Sequence, residues 1–362
     1  MSEARFSGSR LRSVRHFQQI TQEKLAELVA VSPSTISLYE TERREPDDEQ
    51  IVAALCEILD VRRHYFYSPF ATDLVEEEVD YRSLASAPKH ARERLVAFGR
   101  FVLEWIACLR ERVRFPDLDL PSIDATYDED VERAAEHCRE YWNLGSGPIP
   151  NISRVLENAG VAIATFDVQS RDIDAFSVYS SDAGLVVLNR TKGSSSRAVQ
   201  DCAHELGHGV LHRGTGREKP HRLKEEQARH FAGAFLLPRR SFQREFWAGG
   251  GDAGLTHLFD LKRRWGVSIQ SIVYRAHQLE VIGAAEMRRW MRQISKKGWR
   301  SGVQEPEEPA QVQPELLHRA FERYQVVTGQ SARAVAEAIG WGGSIFKSVV
   351  GVPLSDGEPS TD

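Results

Sequence analysis

Cysteine is scarce. The four in 362 residues (Cys56, Cys108, Cys138 and Cys202) stand far apart and form no CxxC pair. That spacing excludes a disulfide framework and a cysteine-cage zinc module, and it fits a reducing compartment. No apolar run approaches the length a bilayer-spanning helix needs. The opening stretch MSEARFSGSRLRS has no apolar h-region, so no secretory leader is expected and the expected location is the cytoplasm. An excess of positive charge is missing too. Net charge is −5, so any nucleic-acid contact has to come from a local patch. No repeat of fixed period is visible. What is present is ordinary for a globular chain, 41% apolar and 27% charged, and long enough for two or three domains.

The periodicities predict a mainly α protein with a small β-sheet, an α+β class, in five stretches. Residues 1–70 form a compact five-helix domain. Residues 71–118 form a helical linker, which opens on an acidic segment (Asp73, Glu76, Glu77, Glu78). A helix then runs from about Pro88 to Val113, with Leu95, Phe98, Phe101, Val102, Trp105, Ile106 and Leu109 on one face. FPDLDLPS breaks it. Residues 119–250 mix helices with three strands, AIATF, FSVYS and GLVVLN, rich in β-branched and aromatic residues. Residues 251–300 return to helices. Residues 301–362 form a tail, polar and proline-rich at first, with short helices around Glu315–Val326 and Ser331–Ile339 and a frayed acidic end.

In the first stretch, Thr21 is an N-cap followed by Leu25, Ala26 and Leu28. Ser32 is a second N-cap with Pro33 at the first helical position. The segment ITQEKLAELVAVSPSTISLYETERREP resembles a helix-turn-helix of the XRE/Cro repressor type, whose second helix lies in the major groove of DNA. By that resemblance Ser34, Thr35 and Leu38 face base edges, and Gln22 and Ser32 sit near phosphate. Ile36 and Tyr39 pack inward with Leu11, Val14, Ile51, Leu55, Ile58 and Leu59. Arg10, Arg12, Arg15 and Lys24 supply local positive charge, and Arg43 and Arg44 add backbone contacts. Against this, residues 1–70 hold nine Lys/Arg and eleven Asp/Glu, which leaves a helical bundle for protein contact as the competing use.

SSSRAVQDCAHELGHGVLH carries the sharpest signal, His204-Glu205-x-x-His208. On a helix, positions i and i+4 share a face, so both imidazoles can reach one ion. Glu205, beside the first ligand, can take a proton from water activated there. Composition gives on the order of a few hundredths of such a match by chance. Gly207 lowers helix propensity but lets another backbone approach. A catalytic zinc needs a third protein ligand and one open position. Gly214 stands where a third histidine of the metzincin pattern would be. In KEEQARHFAGAFLLP, Glu225 shares a stripe with Ala228, Phe231, Ala232 and Phe235. A carboxylate there is costly unless paired or metal-bound. Glu225 is therefore the expected third ligand. Glu226, which shares a side with Arg229 and His230 in a solvated pattern, is the reserve. The expected metal is zinc, one per chain, with manganese or iron also compatible. His212 reads either as a group behind the ligands, an oxyanion donor, or an ordinary packing histidine. Asp201 can orient an imidazole or lie solvated. Tyr179 can stabilise an oxyanion or pack its strand. Cys202 reads as a buried apolar residue.

Together, GLVVLN, HELGHGVLH and EEQARHFAGAFLLP resemble the ImmA/IrrE family of metallo-endopeptidases, here fused to the XRE-type module. IPNISRVLENAGVAIA and LFDLKRRWGVSIQSIVYRAHQLEVI are weaker marks of the same likeness. The resemblance implies a zincin-like, gluzincin-type peptidase domain. His204, His208 and Glu225 would be its metal ligands and Glu205 its acid/base. It implies cleavage of a repressor-type protein. It also implies that Leu258, Leu261, Trp265, Gly266 and Ser268 belong to a second helix-turn-helix-like element. That element is expected to pack on the peptidase rather than bind DNA, with Lys262, Arg263 and Arg264 as a solvated face.

Two readings follow. In one, the protein is a zinc endopeptidase brought to operator DNA by its N-terminal module, cutting a peptide or repressor-protein substrate held along Phe176–Ser180 by edge pairing. In the other, it is a one-component transcription regulator whose peptidase-like domain senses a ligand or scaffolds. A homodimer is expected, because operators of such modules are pseudo-palindromic. The 88–113 helix can serve as its interface or pack within the subunit.

Overall fold

The structure, a computed structural model, describes residues 5–70, 88–167, 173–180, 183–190, 193–213, 219–249, 254–299, 305–309 and 313–354. In chain order the elements begin with α1 (Gly8–Phe17), α2 (Gln22–Leu28), α3 (Pro33–Glu40), α4 (Glu49–Leu59), a 3-10 turn at Arg63–Tyr67, and α5 (Lys89–Arg110). Next come α6 (Asp128–Tyr141), α7 (Ile152–Asn158), β1 (Val161–Phe166), β2 (Ala175–Tyr179) and β3 (Gly184–Asn189). The helices α8 (Ser195–Leu211), α9 (His221–Leu236), α10 (Arg239–Ala248), α11 (Leu255–Trp265), α12 (Ile269–Gln278) and α13 (Ala284–Lys296) follow. The last are α14 (Leu316–Thr328), α15 (Ala332–Ile339) and α16 (Gly343–Val350). This is the mainly α architecture with a small sheet that the periodicities predict. The expected fifth helix of the first domain is a 3-10 turn instead.

The chain divides into two compact units, Met1–Phe115 with Phe166–Ile173 and Glu315–Asp362, and Pro116–Thr165 with Asp174–Pro314. The division departs from the expected linker and tail. In the first unit α5 packs on α1, and α14 and α16 pack on α5. Trp105 of α5 is fully buried, edge-on to Phe321 (5.0 Å) and Phe346 (5.7 Å), with Trp341 at 6.2 Å. The apolar face of α5 therefore serves packing within the subunit. α16 is an element the sequence pattern does not announce. The acidic segment Asp73–Glu78 and the acidic end lie outside the described residues.

The second unit is built around α8. The sheet order is β1-β3-β2, and β2 pairs antiparallel with β3 from Ala175↔Leu188 to Tyr179↔Gly184. Ser194 caps α8 by accepting from the Arg197 amide. Val161, Val186, Leu206, Phe231, Leu258, Ile272 and Ile294 share one core, so α11–α13 are part of the same hydrophobic body as α8 and α9. α11 ends at Gly266 (φ 69°), and Ser268 caps α12. The expected solvated face on α11 is corrected at one position. Lys262 is fully buried, its ammonium on Glu305 (2.8 Å) and Glu308 (2.7 Å), while Arg263 and Arg264 are exposed. Glu305 also accepts from the Ile269 amide, which covers the start of α12.

Two glycines set how closely neighbours approach α8. A Cβ on Gly207 would lie 3.2 Å from both Cα and O of Ala228 and 3.1 Å from the Phe231 ring, so α9 rests directly on the helix there. A Cβ on Gly209 would lie 2.6 Å from the Tyr179 ring, where β2 comes in. Small residues at such points permit close helix approach and so fix where facing side chains meet.

Candidate metal centre and helix-turn-helix surface

One turn apart on α8, His204 and His208 bring their Nε2 atoms to 3.1 Å. Glu225, in the second turn of α9, reaches both: Oε2 lies 3.4 Å from His204 Nε2 and Oε1 3.2 Å from His208 Nε2. Glu225 Oε1 is buried and accepts no well-aligned hydrogen bond. Burial alone raises the Glu225 carboxyl; protons carried on the two facing imidazoles would outweigh it and hold the group well below the usual carboxylate range, and a cation held there would take the place of those protons. Two nitrogen lone pairs and an ionised carboxylate oxygen, all within 4.8 Å of one another, are a donor set suited to one divalent cation. Glu226, the reserve ligand, is exposed and paired with Arg222 (2.9 Å). His230 is not solvated as its pattern predicts. It is buried on Glu132 (2.8 Å).

The proton positions around His208 follow from a chain that ends on a carbonyl. The Ala125 carbonyl can only accept, so Gln227 donates to it through Nε2 (2.8 Å) and turns Oε1 towards His212. His212 Nε2 donates to that oxygen (3.2 Å). Burial, aided by the neighbouring His208, lowers the His212 pKa to about 3, so the ring is neutral. Its Nδ1 is then an acceptor, and the 3.1 Å contact with His208 Nδ1 requires the proton to sit on His208. That tautomer leaves the Nε2 lone pair of His208 facing Glu225 and His204.

Glu205 is buried beside the cluster, and the Ser177 hydroxyl donates to its Oε2 at 2.5 Å. Tyr179, two residues on along β2, donates its hydroxyl to the Glu205 backbone carbonyl (2.8 Å), so it ties strand to helix rather than offering a free oxyanion donor. Burial keeps its phenol well above the ordinary range. Cys202 is fully buried, and burial likewise raises its thiol. Spacing missed Ser177, Gln227 and His221, whose Nε2 lies 3.7 Å from Glu225 Oε1. The alternation along β2 carries the signal for Ser177, since it faces the same side as Tyr179. The i, i+4 relation to Glu225 carries the signal for His221.

In the first unit the caps form as the residues predict. Thr21 accepts from Lys24 N, and Ser32 from Thr35 N, with Pro33 at the first helical position. On α3, Ser34 and Leu38 are exposed, Thr35 is half-buried, and Ile36 and Tyr39 are buried. Ser32 Oγ also contacts Ser34 Oγ (2.7 Å) and Thr35 Oγ1 (2.8 Å). The Gln22 amide is engaged inside the domain on Glu40 (2.7 Å). Two of the expected surface cations are interior: Arg15 is buried on Glu40 (2.5 Å) and Arg10 on Glu104. Arg43 and Arg44 are exposed just past α3.

Residues 8–64 match the family model described as a helix-turn-helix domain. Residues 156–277, which contain His204, Glu205, His208 and Glu225, match the peptidase M78 model, described as the IrrE N-terminal-like domain. No curated protein matches the chain significantly. The chain thus joins a segment that matches a helix-turn-helix domain to one that matches the IrrE N-terminal-like domain of peptidase M78.

Proposed function

We propose that this protein is a DNA-binding regulator whose second unit is a zinc-dependent endopeptidase that cuts a repressor-type protein. The observation that carries the reading is the convergence of His204, His208 and Glu225 with Glu205 beside them. The two Nε2 atoms and the Glu225 carboxylate would hold the metal. Bound there, a divalent ion supplies Lewis acidity towards a carbonyl oxygen and acidifies water. Glu205 takes the proton from the attacking water and returns it to the leaving amine. Ser177 occupies Oε2 of Glu205, which leaves Oε1 as the base atom. β2 is one of the two edge strands of the sheet among the described residues and carries Ser177, so an extended peptide pairing with it would run past the base.

On the DNA side, Ser34, Thr35 and Leu38 of α3 would meet base edges. Ser32, Arg43 and Arg44 would meet phosphate, in a dimer on a pseudo-palindromic operator. Gln22 would reach phosphate only by giving up its bond to Glu40.

The test incubates metal-loaded protein with cell extract beside Glu205→Gln. A cleavage product present with the wild type and absent with the variant, with metal and DNA affinity retained, is the expected result. A regulatory output unchanged in the variant, with no product in either sample, would favour a regulator whose peptidase-like unit senses or scaffolds.

A further inference from the structure

We infer that the outer face of α13 is a second contact surface for the phosphate backbone of DNA, separate from the helix-turn-helix. The inference rests on the DNA-binding reading above and adds a surface to it. At 3.6 residues per turn, Arg288, Arg292, Lys296 and Arg289 fall within an arc of about 100°. All four are exposed. Arg289 pairs with Glu286 at 3.1 Å across an exposed i, i+3 step. Arg288, Arg292 and Lys296 have no carboxylate partner among the described residues, and Glu286 is the one acidic residue on the helix. The opposite arc holds Trp290 and Ile294, both buried, with Met287 and Met291 packed against the core of the second unit.

The shape of this charge selects its partner. Arg288, Arg292 and Lys296 stand one turn apart over about 12 Å of helix, a length that spans roughly three phosphates of one DNA strand. In a chain with a net charge of −5, such a stripe attracts a linear polyanion locally while the bulk of the protein does not. A membrane surface is a poorer match, because interfacial helices insert apolar side chains and those of α13 are committed to the core. An acidic protein is a poorer match too, because stable protein interfaces centre on buried aromatic or apolar anchors and the stripe has none. The start of α12, where the resemblance would put a second recognition helix, is covered by Glu305. The role assigned to this unit is therefore to grip backbone phosphate, and it carries no sequence preference.

The test compares the full-length protein with Arg288→Gln/Arg292→Gln/Lys296→Gln. Affinity for short duplexes of two unrelated sequences is measured from low to moderate salt. Each phosphate that is no longer neutralised takes about 0.9 off the slope of log affinity against log salt, so the triple variant is expected to be shallower by about 2 to 3. It should bind both duplexes about tenfold more weakly or worse at low salt, with an unchanged thermal midpoint. Wild-type binding whose slope and affinity the substitutions leave alone overturns the inference and spares the DNA reading. A wild type that binds no duplex overturns both. A variant that loses binding to phosphatidylserine vesicles but not to duplex also overturns it and reassigns the stripe to a lipid surface.

Discussion

His212 acts on the cluster through a proton it does not own. By accepting from His208 Nδ1 it fixes which nitrogen of His208 is left for a cation, and Gln227 fixes His212 in turn. Such supporting groups typically contribute about 10–100-fold in metal affinity. His212→Phe keeps a ring in the space but strands the His208 N–H and the Gln227 carbonyl. Zinc affinity, measured by competition with a chromophoric chelator, is expected to fall by roughly that factor. Wild-type affinity in the variant would remove His212 from the site. Glu225→Gln deletes the single negative charge among the three proposed ligands and should cost more. Glu205→Gln should leave zinc affinity near that of the wild type while cleavage is lost. These residues differ in how legible they are. His204, Glu205 and His208 sit within one turn and a half of helix, so spacing alone finds them. Glu225 is found by the cost of a carboxylate on an apolar stripe. Gln227 acts through a partner 15 residues away in sequence, a relation that no local period records, and Ser177 through one 28 residues away, where the alternation along β2 gives its face but not its partner.

The helices that carry these residues meet because two positions on α8 lack a side chain. Gly207 admits the backbone of α9 at Ala228, one turn from Glu225, and Gly209 admits the ring of Tyr179. Gly207→Val would force α9 outward, since two of the three nearest atoms, Cα and O of Ala228, are backbone and cannot rotate away. Overpacking of this kind costs about 1–3 kcal/mol, read as a lower midpoint in urea. Zinc affinity should fall as well, because Glu225 rides on the displaced helix. Gly207→Val with unchanged stability and affinity would show that α9 is not held at this point. The sequence pattern locates α8, α9 and all three strands, whose signals are local caps and periods. It does not reveal α16, whose GWGGS start reads as a break. It also misreads Lys262, whose neighbours Arg263 and Arg264 are solvated while its own partners come from the proline-rich stretch at 305–308.

Long-range pairing decides which segments fold together, and it is the level at which the sequence is least explicit. α5 reads as a linker because its partners, Phe321, Trp341 and Phe346, lie more than two hundred residues further along the chain. In the second unit the comparable long-range tie is ionic. Glu132 of α6 is buried between Arg275 of α12 (2.9 Å to Oε2) and His230 of α9 (2.8 Å). Arg275, fully buried, also donates to the Leu237 carbonyl. Burial by itself would raise the Glu132 carboxyl, but the hydrogen bonds from Arg275 and His230 lower it to about 2 from an ordinary 4.5. A carboxyl depressed on folding contributes stability that is fully present above its unfolded value and is lost as pH falls through the folded value. The window is therefore about pH 4.5 down to 2, and the contribution above it is about 3 kcal/mol. Glu132→Gln should be less stable than the wild type by about that amount at pH 7, in line with breaking a buried pair. Urea midpoints taken from pH 7 to pH 2.5 should show the two proteins converging as Glu132 takes up its proton. A gap that stays constant across that range would mean that packing, not the charge on Glu132, holds α6, α9 and α12 together.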